Sequence, residues 1–298
     1  MSKACELTVI IPSFNEAENL EIILPPLLNL CKKNNWKVII VNDGSVDSTR
    51  EILGSFNTPS HEGREPGVRL IHHKLNKGYG AAIKSGIAAC DTEYCITIDA
   101  DGQHRLEDIE RLFDCIKSKD ADMIVGSRKG SKSASYSRGI GKIIIRFIAR
   151  ILMHVPVQDI NSGMKACRTE LAKKYLHLVP DTMSYSDIIT LIFINNRHLV
   201  LEEPISITPR LKGKSTIRVE TAFQTVMEII NIVILFNPAK IFLPISGFFL
   251  ITGIVVGLPI LIAGRGVSTG SMLGITAGIF FFLLGLVAEQ LSALRKNR

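Results

Sequence analysis

The chain has 298 residues, enough for one large domain or two smaller ones. It is 46% hydrophobic and only 21% charged, too apolar for an ordinary soluble enzyme, and its six cysteines form no Cys-x-x-Cys pair and no zinc spacing. The net charge of +7 is unevenly spread: no acidic residue occurs from Met123 to Gln158.

In chain order, short apolar runs alternate with helical patterns. Met1–Glu6 leads straight into a strand-like run, Leu7–Ile11, with no signal peptide expected ahead of it. Lys37–Val41, Val68–His72, Tyr94–Ile98 and Met123–Val125 read the same way. Helices are predicted near 17–34, 46–55, 78–90 and 106–118, and a surface loop at Ser55–Gly67. Apolar strands alternating with helices predict an α/β fold with a mainly parallel sheet covered on both faces. Ligands of such sheets bind at the carboxyl ends of the strands. Four polar clusters stand there: Pro12–Glu16, Asn42–Asp47, Asn76–Gly80 and Asp99–His104. In the last, Asp99 and Asp101 leave a strand one residue apart, a donor pair suited to a hard cation that also holds a diphosphate.

Beyond Val125 the character changes. Arg138, Lys142, Arg146 and Arg150 recur at every fourth position, so about 137–152 is expected to be a basic amphipathic helix at a membrane surface. Residues 221–238 read as a juxtamembrane interfacial helix. Residues 241–263 and 266–288 carry no charge; each run of 23 residues spans about 34 Å as a helix, enough to cross a bilayer core. A transmembrane hairpin is predicted over 239–298, with spans at about 241–263 and 270–292. Lys240 precedes it and Arg295, Lys296 and Arg298 follow, which places both ends and the N-terminal domain on the cytosolic side of a plasma, inner or endoplasmic reticulum membrane. Gly253-x-x-x-Gly257 and Gly274-x-x-x-Gly278 offer small-residue faces that permit a homo-oligomer. The cysteines are expected to be reduced core residues, and the anionic partner of the basic stretch to be lipid phosphate, not nucleic acid.

Together, Val9-Ile10-Ile11-Pro12-Ser13-Phe14-Asn15-Glu16, Val41-Asn42-Asp43-Gly44-Ser45, Asn76-Lys77-Gly78-Tyr79-Gly80 and Asp99-Ala100-Asp101-Gly102-Gln103-His104 resemble the family 2 glycosyltransferases of GT-A fold. Within that family the chain resembles the polyprenyl- and dolichyl-phosphate glycosyltransferases over essentially its whole length. The resemblance implies a GT-A domain over 1–220. It also implies that Pro12, Asn15, Glu16, Asp43, Lys77, Gly78 and Asp99 bind the UDP- or GDP-sugar, and that Asp99, Asp101 and Gln103 hold Mg²⁺ or Mn²⁺. Asp101, Asp159 and Arg128 become the catalytic candidates. Arg128, Arg138 and Lys142 fall to the lipid phosphate, and Arg210 and Lys214 of a mobile loop to the donor phosphates. Met164 and Lys165 stand where the family has an aromatic residue and Arg. The expected reaction is an inverting transfer of a hexose to polyprenyl phosphate. The rival readings are another membrane acceptor such as diacylglycerol, or a non-catalytic lipid-binding scaffold. A processive polysaccharide synthase is disfavoured, because its Gln-x-x-Arg-Trp motif needs a tryptophan and the sole one here is Trp36.

Overall fold

The structure, a computed structural model, describes residues 5–56, 67–128, 156–208, 234 and 238–296. The described residues form two units, an α/β unit and a helical hairpin.

The α/β unit is built on a seven-stranded sheet. Strands β1 (Leu7–Ser13), β2 (Lys37–Asn42), β3 (Val68–His72), β4 (Tyr94–Thr97), β5 (Met123–Ser127), β6 (Lys165–Arg168) and β7 (Val200–Pro204) lie in the order β3-β2-β1-β4-β6-β5-β7. All neighbours are parallel except β6, which runs antiparallel to β4 and β5. The first three strands step outward from β1 in one direction, and β4 returns to its other side. This reversal opens a crevice between the carboxyl ends of β1 and β4, the place where open α/β sheets bind ligands. The five predicted strands and four predicted helices are present: α1 (Ala17–Asn34), α2 (Thr49–Ser55), α3 (Tyr79–Ala88) and α4 (Leu106–Ser118). Strands β6 and β7, and helices α5 (Thr169–Lys174) and α6 (Tyr185–Asn195), add to the expected set.

Alternation along β1 shows why the sheet is buried on both faces. Leu7, Val9 and Ile11 join one core cluster with Leu20, Leu24 and Leu27 of α1 and Ile109, Leu112 and Ile116 of α4. On the other face, Gly86 of α3 lies against the side chain of Ile10, a contact that a larger residue would block. Helix α1 continues through Pro25 and Pro26 because its buried Leu20-Leu24-Leu27-Cys31 stripe anchors it to the sheet. It ends at Asn35 in the left-handed conformation (φ 57°), where the Trp36 N–H donates back to Cys31 O at 2.8 Å. All six cysteines are free thiols, five of them buried.

The second unit pairs α7 (Ala239–Ile262) with α8 (Thr269–Lys296), close to the predicted spans. Both are long and apolar enough to cross a membrane, and only 11% and 17% of their apolar windows are buried inside the protein, so neither is a soluble core helix. The glycine faces meet each other within the hairpin. A Cβ on Gly274 would lie 3.2 Å from the Gly253 Cα, and one on Gly278 would lie 2.9 Å from the Leu250 N. Ser246 Oγ donates to Gly278 O at 2.8 Å. These contacts close the hairpin itself. The basic segment 137–152 and residues 221–233 and 235–237 lie outside the described residues.

Candidate active site at the β1–β4 crevice

The loops after β1 and β2 are stitched together by short polar side chains. Asn15, in the left-handed region (φ 54°), accepts from Val46 N–H through Oδ1 at 2.9 Å, and its own N–H donates to Ser45 Oγ at 2.9 Å. Glu16 N–H donates to Thr49 Oγ1 at 3.1 Å, and Glu16 Oε2 accepts from Asn19 Nδ2 at 2.5 Å. Asp47 caps the turn through Thr49 N–H and Ala17 N–H. Its burial favours the neutral form, but these bonds outweigh it and hold its pKa below the ordinary value. Pro12 stands beyond the last β1–β4 pair, Ile10 with Thr97, where the ladder no longer needs its N–H.

Asp43 ends the next step of the sheet and is almost wholly buried. Its Oδ1 accepts from Lys77 N–H at 3.0 Å and lies 2.6 Å from His73 Nδ1; its Oδ2 accepts from Gly78 N–H at 2.8 Å. His73 Nε2 in turn meets Ser85 Oγ at 2.9 Å. Asp43 thus fixes the backbone that leads into α3. Gly78 has φ 104° and packs against the Asp181 carbonyl, a conformation and a clearance that both require glycine. The Lys77 side chain projects outward and is exposed.

The acidic pair sits at the end of β4. Asp99 Oδ1 accepts from the Tyr79 hydroxyl at 2.8 Å, and Oδ2 lies 3.5 Å from His104 Nε2. Burial would raise the Asp99 pKa, but His104, Tyr79 and the Lys165 cation lower it further, so the carboxyl is ionised well into mildly acidic conditions. Burial, reinforced by the Asp99 charge, pushes the Tyr79 phenol up, so it stays protonated and donates. A third of the Asp99 side chain remains exposed, which leaves the carboxylate a face for a ligand. Gly163 presses on this carboxylate: a Cβ there would lie 2.7 Å from Asp99 Oδ1 and 2.8 Å from its Cγ. Asp101 is buried, with Oδ1 accepting from Gln103 N–H at 3.1 Å. Segment 206–208 clasps this loop through Thr208 N–H to Gln103 O (3.0 Å), Thr208 Oγ1 to Gly102 O (3.1 Å) and a bridge between His104 and Ile207. Asp99, Asp101 and Gln103 thus bring two carboxylates and a carboxamide to one strand end, oxygen donors of the kind that suit Mg²⁺ or Mn²⁺.

Across β6, Arg128 at the end of β5 meets Asp159 in a two-pronged pair, Nε to Oδ2 and Nη2 to Oδ1, each 2.7 Å. Asp159 Oδ2 also accepts the Arg128 N–H at 3.1 Å, and the Glu202 carboxylate receives the N–H groups of Gln158 and Asp159. Burial works against the Asp159 charge, but Arg128 outweighs it and holds the carboxyl below its ordinary range. Lys165, which stands where the family has Arg, turns inward. Its ammonium is buried and donates to the carbonyls of Ile160 (3.0 Å) and Ser162, so it pins the 159–163 loop from beneath. Burial pushes its pKa down to about 8, against the opposing pull of Asp187, Asp159 and Asp99.

Residues 8–176 match the sequence profile of glycosyl transferase family 2, and residues 237–294 match the GtrB C-terminal hairpin. The chain belongs to glycosyl transferase family 2. It is 30% identical to the polyprenol monophosphomannose synthase of Mycolicibacterium smegmatis over 216 residues, covering 70% of this chain and 79% of that one. It is 28% identical to the dolichol-phosphate mannosyltransferase of Pyrococcus furiosus, covering 74% of this chain and 61% of that one. Among solved structures, glucosyl-3-phosphoglycerate synthase from Mycobacterium tuberculosis with Mg²⁺ and UDP superposes with a TM-score of 0.59 at 14% identity, covering 77% of this chain and 80% of that one. That likeness establishes the GT-A-type fold.

In this glycosyltransferase, Pro12 stands near the end of β1, and Asn15, Glu16, Asp43, Lys77, Gly78, Asp99, Asp101 and Gln103 stand on the loops that follow β1, β2, β3 and β4. Arg128 and Asp159 come together at the end of β5. Arg138, Lys142, Arg210 and Lys214 lie outside the described residues. Three participants escaped the reading of the sequence: Tyr79 as a partner of Asp99, Gly163 as the floor beneath it, and Asp187, whose charge acts on Arg128 and Lys165. Tyr79 lies inside a quoted motif, but nothing in one dimension shows that the first residue of α3 reaches the end of β4.

Proposed function

We propose that this glycosyltransferase moves a hexose from a UDP- or GDP-sugar to polyprenyl phosphate at a membrane surface, with inversion. The observation that carries the reading is the Asp99–Asp101 pair at the end of β4 and the Arg128 fork at the end of β5, on either side of β6 and close enough for the Asp99 charge to act on Arg128, in a chain that also bears an apolar hairpin. The activities for which the two mannosyl relatives are named point the same way. The basic residues flanking the hairpin support a cytosolic side for the α/β unit.

Asp99, Asp101 and Gln103 would hold Mg²⁺ or Mn²⁺, which when bound offsets the charge on the departing nucleoside diphosphate. The loops around Pro12, Asn15, Glu16, Asp43, Lys77 and Gly78 form the nucleotide cradle. Arg210 and Lys214 follow directly from Thr208, which is fastened to the Asp99–Gln103 loop, and they serve the donor phosphates. The Arg128 guanidinium has five N–H groups, of which two are committed to Asp159 and one to Asn161 O, and the side chain is 41% exposed. It receives the acceptor phosphate together with Arg138 and Lys142, while Asp159 keeps the guanidinium plane aligned. A phosphate acceptor is already ionised at pH 7 and attacks the anomeric carbon as the bond to the nucleoside diphosphate breaks. Positioning and charge stabilisation then carry the rate, and no dedicated base is needed.

The test is a panel of UDP- and GDP-sugars offered to the purified full-length protein in detergent with polyprenyl phosphate, with and without EDTA. The expected product is a β-linked lipid-phosphate hexose whose formation stops with EDTA. Transfer to diacylglycerol and not to polyprenyl phosphate would overturn the acceptor; full activity in EDTA would overturn the metal.

A further inference from the structure

Tyr79 is the first residue of α3 and reaches Asp99 at the end of β4 from the loop that follows β3. Its backbone is held from two directions. Asp43 takes the N–H groups of Lys77 and Gly78, and the 180–182 segment closes over Gly78 and Gly80, with Ala81 N–H donating to Asp181 O at 3.3 Å. A Cβ on Gly80 would lie 2.8 Å from both the Asp181 carbonyl carbon and the Thr182 oxygen, so this backbone cannot shift without displacing its cover. The ring is therefore delivered to one place, where its hydroxyl donates to Asp99 Oδ1 at 2.8 Å. Ser186, a buried residue of α6, stands beside the same phenol, and its hydroxyl eases the rise of the Tyr79 pKa.

The chemistry fixes the direction of this chain. An ionised carboxylate can only accept, so the Tyr79 proton must point at Asp99. The phenol oxygen is then free to accept, and the Ser186 hydroxyl beside it is a donor of the right kind. Tyr79 on Oδ1, His104 near Oδ2 and Gly163 against the carboxylate restrict the orientation of Asp99, while a third of its side chain stays exposed.

We propose that Tyr79, backed by Ser186, is a positioning residue that locks the Asp99 carboxylate in the orientation needed to receive a divalent cation with the donor diphosphate. This rests on the reading of Asp99 as a cation-facing group. Partners that orient a metal's own ligands typically matter ten- to a hundredfold for affinity.

The experiment measures Mn²⁺ binding to the full-length protein in detergent by electron paramagnetic resonance, with UDP and separately with GDP present. Tyr79→Phe keeps the ring and removes the donor. It is expected to weaken Mn²⁺ binding roughly ten- to a hundredfold while the melting temperature and the circular dichroism spectrum stay at wild-type values. Ser186→Ala, which leaves Tyr79 in place, is expected to weaken it in the same direction by roughly three- to tenfold. It supplies the answer if the phenylalanine variant does not fold. Asp99→Asn is the reference for full loss. Wild-type affinity in both variants, with loss in Asp99→Asn, overturns the positioning role and leaves the metal site standing. Absence of Mn²⁺ binding to the wild type with either nucleotide overturns the metal reading, and the positioning role with it.

Discussion

Lys165→Met is the sharpest probe of how this site is held together. The buried Lys165 ammonium has its pKa pushed from 10.5 down to about 8, chiefly by burial. At ~1.36 kcal/mol per pH unit, burying the cation costs about 3 kcal/mol at neutral pH. Below pH 8 folded and unfolded chains both carry the proton, and the whole cost is present. Between pH 8 and 10.5 the folded chain has released it while the unfolded chain retains it, so stability rises with pH; above 10.5 the cost is gone. Integrated from pH 7 to 9.5, wild type gains about 2 kcal/mol relative to a variant that cannot titrate, or about 4–8 °C in melting temperature for a unit of this size. Methionine matches the length of the stem and has no charge. The lost bonds to Ile160 O and Ser162 O add an offset that does not depend on pH and cancels in the slope. Thermal melting of both proteins in detergent across this range measures the difference. Parallel curves would refute the burial of a cation at this position.

Gly163→Ala places a methyl group against the Asp99 carboxylate and should lower kcat/KM by about a hundredfold, with thermal stability changed far less. An unchanged rate would show that the close approach is dispensable. Arg138→Ala should raise the apparent KM for polyprenyl phosphate about tenfold with that for the nucleotide sugar nearly constant; equal rises would separate Arg138 from the acceptor. Asp101→Ala should abolish sugar transfer in a protein that still folds in membranes, and retained activity would remove Asp101 from the metal site.

Much of the fold was legible because its signals are local. The Val- and Ile-rich runs at Leu7–Ile11 and Lys37–Val41 can be buried on both faces only in a parallel sheet, and they lie there. The hairpin was equally plain, since a bilayer demands uninterrupted apolar length. Strand β6 was not legible: Lys165–Arg168 is four residues with a charge at each end, and it is a strand because β4 and β5 present open edges on both sides of it. Strand β7, Val-Leu-Glu-Glu-Pro, is likewise recruited by the edge of β5 against its own composition. The glycine pairs of the hairpin were visible as faces, but which partner they face is a property of packing, and they face each other.

The sequence by itself determined the class of chemistry, because Asp-Ala-Asp at the end of an apolar run and the loops ahead of it carry their donor groups whatever surrounds them. It could not determine the state of those groups. That Asp43 spends its carboxylate on Lys77, Gly78 and His73, that Arg128 and Asp159 lock together, and that Lys165 turns inward to hold a loop are outcomes of long-range contact. Orientation and ionisation depend on neighbours brought from distant parts of the chain, and the strand order around β1 and β4 decides which neighbours those are.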